Sequence, residues 1–158
     1  MDDAVAFAPF RPRRGRAVAL VAAVVALVIF GGIAVLLPGA DRGGNWTIGD
    51  RIFFAGTGIA IAFLLWRYAS IKAVPTRTTL TVRNLLLSRT IAWDQIVDVQ
   101  FSGGDPWVTI ELADTDRVAV MAIQKADAEA GRAEASRLVA LVQALSPPAP
   151  GPDDLARG

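Results

Sequence analysis

Leu80 to Ile123 reads LTVRNLLLSRTIAWDQIVDVQFSGGDPWVTIELADTDRVAVMAI, and the fold is decided there. Short apolar runs with period-two alternation are interrupted by Asn84, by Gly103-Gly104-Asp105-Pro106 and by Asp114-Thr115-Asp116. Successive side chains of a strand point to opposite faces, so this pattern predicts a small antiparallel meander with one buried face. Leu80 and Val82 alternate with Thr79, Thr81 and Arg83, and Leu85 to Ile91 follows as a more apolar strand. Trp93-Asp94-Gln95-Ile96 spaces its apolar residues three apart, which predicts a single helical turn between strands. Val97, Val99 and Phe101 then share one face, with Asp98 and Gln100 on the other. Val108, Ile110 and Leu112 face the core of the next strand, placing Trp107, Thr109 and Glu111 outside. Val118, Val120 and Ala122 line the inner face of the last strand.

Working outward, Lys72 to Pro75 is a short strand that Pro75 confines to an edge or an end. After the meander, Asp127 is the expected N-cap of a helix over Ala128 to Leu145. Leu138, Leu141, Val142 and Leu145 form its apolar stripe, and Glu129, Arg132, Glu134 and Arg137 are read as solvated charges. Pro147 and Pro148 stop that helix, and 147–158 is expected to be a disordered, Pro-rich tail.

The chain before Lys72 has a different character. Residues 1–16 form a tail that ends in the basic run Arg11, Arg13, Arg14 and Arg16. Residues 17–37 carry no charge, and 52–71 are apolar apart from Arg67 near the end. Each is long enough to cross a hydrocarbon core of about 30 Å as a helix. The connection between them, 38–51, is short and polar, with Arg42 and Arg51 as its basic residues. Arg67, Lys72 and Arg77 follow the second span, so the positive-inside rule predicts a plasma-membrane protein with both termini and the β domain, 72–146, in the cytoplasm. Gly56 with Ala60, Ala19 with Ala23 and Ala22 with Ala26 are small-residue pairs of the kind that let spanning helices approach closely.

Composition removes several functions. The 158 residues include no cysteine and no histidine, which excludes disulfides, thiolate chemistry, Cys/His metal sites and a Ser-His-Asp triad. The remaining polar residues form no catalytic constellation, and the acidic ones are scattered rather than placed at metal-ligand spacing. A formal net charge of +1 argues against a broad basic surface for nucleic acid. No enzyme activity, metal or cofactor is therefore expected.

The arrangement as a whole resembles a known family. FRPRRGR at Phe10 to Arg16, VRNLLLSRTIAWDQI at Val82 to Ile96, GGDPW at Gly103 to Trp107 and AVMAIQ at Ala119 to Gln124 carry the resemblance. It is to the bacterial pleckstrin-homology-like (PH-like) family, and within it to small actinobacterial two-span membrane proteins such as low molecular weight protein antigen 6. The resemblance implies an α+β membrane protein: a two-helix transmembrane hairpin, then a PH-like antiparallel barrel capped by a C-terminal helix, with no enzymatic activity and no cofactor. Such barrels usually have seven strands, and the sequence marks five clearly and a short sixth.

Two functions follow as expectations. The first is a non-enzymatic membrane-anchored adaptor that binds a protein, a peptide or the lipid surface of the inner leaflet. The second is an auxiliary subunit of a transporter or cell-envelope complex that acts through its helical hairpin. Candidate contacts to a partner or to anionic lipid are Trp107, which alternation puts outside, and Arg77, Arg83 and Arg89, expected to line up near the bilayer. Trp93 is expected to be a core residue instead.

Overall fold

The computed structural model describes residues 3–39, 43–101 and 104–146. The expected disorder of 147–158 and the turn residue Gly103 lie outside the described residues. The chain divides into two compact units, Met1–Pro12 with Lys72–Gly158, and Arg13–Ile71.

The unit containing the meander has six strands in two antiparallel sheets. One sheet has the order β1 (Lys72–Pro75), β2 (Thr79–Arg83), β3 (Ser88–Ala92), the other β4 (Ile96–Gln100), β5 (Trp107–Leu112), β6 (Arg117–Gln124). A single 3-10 turn over Trp93–Gln95 joins the sheets, where the three-residue apolar spacing predicted it. Helix α4 (Ala128–Leu145) closes the unit against β4 and β6, and β6 also contacts β1 and β2. This is the split barrel with a capping helix that the resemblance implies.

Alternation fixes the core. Leu80, Val82, Ile91, Val108, Ile110, Val120, Ala122, Ile123 and Leu138 are all at most 3% exposed. Burying each large aliphatic among them contributes about 1.5–3 kcal/mol. Trp93 is buried too, and its indole N–H donates to the Thr76 carbonyl at 3.0 Å, so its polar atom is satisfied inside. The Ser146 hydroxyl donates to the Trp93 carbonyl at 2.9 Å and ties the end of α4 to the same spot.

Two strand readings are corrected. β3 begins at Ser88 rather than Leu85, because Leu85 to Leu87 form the β2–β3 turn: the Asn84 N–H donates to the Leu87 carbonyl at 2.9 Å. In β4 the register shifts between Ile96 and Asp98, a bulge that leaves Val97 exposed and breaks the face it was expected to share with Val99 and Phe101.

A further contact to β1 comes from the other end of the sequence. Helix α1 (Asp3–Ala6) leads to Phe10, which forms an antiparallel bridge with Ala73 of β1. The Phe10 N–H donates to the Ala73 carbonyl at 2.8 Å, and the Ala73 N–H returns a bond to Phe10 at 3.1 Å. Phe10 is fully buried, and Pro12 is buried as well. Residues 3–12 are therefore part of the β unit rather than a free flank.

The other unit consists of α2 (Arg13–Leu36) and α3 (Ile48–Ala69), both long and apolar enough to cross a membrane. Thr47 caps α3 in a reciprocal box with Asp50. Arg51 donates to the carbonyls of Leu37 at 2.8 Å and Val35 at 3.4 Å, satisfying the end of α2. The small-residue pair Ala19 and Ala23 is buried, and of the pair Ala22 and Ala26 only Ala26 is fully so. On α3 the buried pair is Gly58 and Ala62, not Gly56 and Ala60, which are exposed. Gly58 is required there, because a Cβ at that position would lie 2.6 Å from Cβ of Phe30.

Candidate functional site

The four residues singled out from the sequence are not brought together. Arg77 lies in the β1–β2 turn, with its guanidinium 5.9 Å from the centre of the Phe7 ring. Arg83 ends β2 at the opposite end of that hairpin, on the outer face with its cross-strand neighbour Lys72. Arg89 pairs with the buried Val82 and so leans toward the inner face, where it reaches Asp116 at 2.9 Å and Asp114 at 3.6 Å. Its charge joins β3 to the β5–β6 turn. Trp107 starts β5 opposite Gln124, half-buried on the outer face beside Thr109 and Glu111.

A concavity among the described residues lies elsewhere. A groove of about 450 Å³ runs beside α4, lined by Phe101, Ala135, Val139 and Ala140, with the polar Arg132, Ser136 and Gln143. These α4 positions recur at three- and four-residue intervals, so they form a second stripe beside the core stripe of Gly131, Ala135, Leu138 and Leu141. The helix is packed on one side and open on the adjoining one. Strand β4, which leads to Phe101, has a ladder partner on one side only. Its other edge has no strand neighbour among the described residues, although the Val99 N–H is taken by Asp98 Oδ1 at 2.8 Å and the Ile96 N–H by the Trp93 carbonyl. None of the four sequence candidates lines this groove. The signal was weak in sequence because alanine marks an apolar stripe poorly and Arg132 reads as ordinary solvated charge.

A heavily engaged side chain was also missed. Arg137 is 15% exposed and pairs with Glu134 at 2.6 Å. Its guanidinium donates to the carbonyls of Val5 at 3.2 Å, Ala6 at 2.9 Å and Ala8 at 2.8 Å, and lies 3.8 Å from the centre of the Phe10 ring. Planar geometry, several fixed donors and a stacking face are what this position needs, and they are properties of arginine. Arg137 thus positions the N-terminal arm on the barrel. No group of acidic residues among the described residues is arranged to hold a metal ion.

Comparison with known proteins agrees with this architecture. The family described as Bacterial PH domain matches residues 73–140. An uncharacterized protein of Mycobacterium bovis and its counterparts in two strains of Mycobacterium tuberculosis are each 32% identical over 93 residues. That alignment covers 59% of this chain and 60% of each relative's length. No solved structure matches. The part of the chain that is similar to the bacterial PH-domain family, residues 73–140, is thus the part that holds the two antiparallel sheets and most of the capping helix.

Proposed function

We propose that the protein is a non-enzymatic, membrane-anchored adaptor whose PH-like domain receives an extended segment of a partner protein. Helices α2 and α3 hold it in the plasma membrane, with both termini and the domain in the cytoplasm. The observation that carries the binding reading is the largely apolar groove beside α4, lined in part by Phe101, which follows the edge strand β4. A segment added to such an edge gains main-chain hydrogen bonds, and alternate side chains can enter the groove for specificity. The orientation is supported by the excess of arginine and lysine around the start of α2 and the end of α3 over the connection between them. The bridge between Phe10 and Ala73 supports two crossings, because it ties together the chain on either side of the helical segment. Trp107 and Arg83 remain proposed secondary contacts, and Arg89 is engaged with Asp114 and Asp116.

A photo-crosslinking residue placed at Val139 in the full chain, in intact cells, tests the reading. The expected result is a discrete protein adduct that disappears when Ala140 is replaced by Glu. A second reading, an auxiliary subunit acting through its helices, is favoured by a shallow apolar channel along Ala17, Val18, Val21, Ala22 and Val25 of α2. Adducts from Val21 with none from Val139 would decide for that alternative. Because the natural chain has no cysteine, single introduced cysteines report sidedness directly. Labelling of a cysteine at Thr78 by an impermeant reagent from outside intact cells would overturn the cytoplasmic placement.

A further inference from the structure

The β2–β3 turn presents apolar side chains where an exposed turn ordinarily carries polar ones. Leu86 and Leu87 are 82% and 76% exposed. The turn is held firmly. Besides the Asn84 bond to Leu87, the Asn84 side-chain amide donates to the Ala119 carbonyl at 2.7 Å and its oxygen accepts from the Met121 N–H at 3.3 Å. Two leucines are therefore displayed by a turn fastened to β6.

The charges around the turn suit an anionic surface. Arg83 precedes it, and Lys72 is the cross-strand neighbour of Arg83. Asp114 and Asp116 are both paired with Arg89, which leaves one net negative charge in that group against the two positive charges of Arg83 and Lys72. Chain connectivity adds the deciding constraint. Lys72 directly follows Ile71, the last residue of the helical unit. The four turn residues lie at the same end of the hairpin as Lys72, so at about 3.3 Å per residue their tip is within roughly 10 Å of it along the sheet. The polar layer on each side of a bilayer is about 5–8 Å thick.

We propose that Leu86 and Leu87 insert into the headgroup boundary of an anionic leaflet, with Arg83 and Lys72 against lipid phosphates. This rests on the reading that α2 and α3 span the membrane. It gives the domain a second attachment to the bilayer, separate from the groove, and so fixes which way the groove faces.

The test uses the full chain in nanodiscs of phosphatidylcholine containing phosphatidylglycerol, where no other protein is present. A single cysteine at Leu85, Thr78 or Ile59 carries an environment-sensitive fluorophore. The expected result is a blue-shifted probe at Leu85 that is quenched by lipids spin-labelled near the headgroup. That shift should be lost in L86D/L87D, whose exposed positions leave the melting temperature unchanged, while the probe at Thr78 stays aqueous. A probe at Leu85 in water, with the probe at Ile59 in hydrocarbon, overturns the insertion and leaves the spanning reading intact. Water at both positions overturns both. An undiminished shift without phosphatidylglycerol overturns the role given to Lys72 and Arg83.

Discussion

At the scale of single residues, Arg137 has the largest predicted effect outside the apolar core. Replacing it with Ala removes hydrogen bonds from a charged donor to three carbonyls, and should cost about 2–3 kcal/mol. Hydrogen exchange should show faster exchange of the Phe10 and Ala73 amides, and the melting temperature in mild detergent should fall. Arg137→Lys should recover only part of this, since an ammonium can reach the carbonyls that Nη1 holds but cannot also engage Glu134 through separate nitrogens and lay a planar face on the Phe10 ring. Unchanged exchange at Phe10 would show that the arm is held by other contacts. Thr115 makes the opposite prediction. It sits in the β5–β6 turn at φ +68°, where a β-branched residue is strained. Thr115→Gly should stabilise the domain by about 1 kcal/mol, read as a higher melting temperature. Trp93 was legible as a core residue because it follows a strand and opens a three-spaced apolar turn. Arg137 was not, because its partners lie some 130 positions away in a stretch without periodicity.

At the scale of elements, two glycines control how closely helices approach their neighbours. A Cβ at Gly131 would collide with the Gln124 carbonyl oxygen, so α4 rests directly on the end of β6 there. Gly131→Ala should cost about 1–3 kcal/mol, the range for overpacking, despite the gain in helix propensity. Chemical denaturation of the full chain in detergent measures it, and a neutral or stabilised variant would show that α4 can shift. Gly58 has the same role between α2 and α3, and Gly58→Leu should loosen that pair against Phe30. Disulfide crosslinking between cysteines introduced at Ala26 and Ala62 should then slow. Element type and order could be read from sequence because period two, period 3.6 and the turn residues are local signals. The β3 boundary could not. Three consecutive leucines at 85–87 satisfy a strand pattern, and only the hydrogen bond that closes the turn at Leu87 shows that they leave the sheet. The groove beside α4 was hidden for a related reason: it is a second helix face, and it acquires meaning only next to Phe101.

At the scale of the whole molecule, the helical segment is an insertion within the β unit. Phe10 and Ala73 pair antiparallel, so Pro12 and Ile71 lie near each other at the ends of the two bridged segments. The 59 residues from Arg13 to Ile71 thus occupy the place of a turn between an incipient first strand and β1. Residues 72–146 alone would be an incomplete domain. They would lack Phe10 in its buried site, and the cost should be of the order of 3–5 kcal/mol, as for truncating a core aromatic. A chain in which residues 3–12 run through a short Gly-Ser linker directly into 72–146 should be soluble and melt cooperatively. The fragment 72–146 should melt at a markedly lower temperature, and a peptide of residues 3–12 added in trans should raise it. Phe10→Ala in the linked chain should return it to the level of the fragment. If fragment and linked chain melt together, the arm contributes nothing to folding. The bridge would then carry no constraint on where the two helices begin and end. If they differ as expected, folding of the domain requires both ends of the helical segment to reach the same barrel edge. A two-span hairpin meets that requirement, whereas one crossing would leave Phe10 and Ala73 on opposite sides of the bilayer.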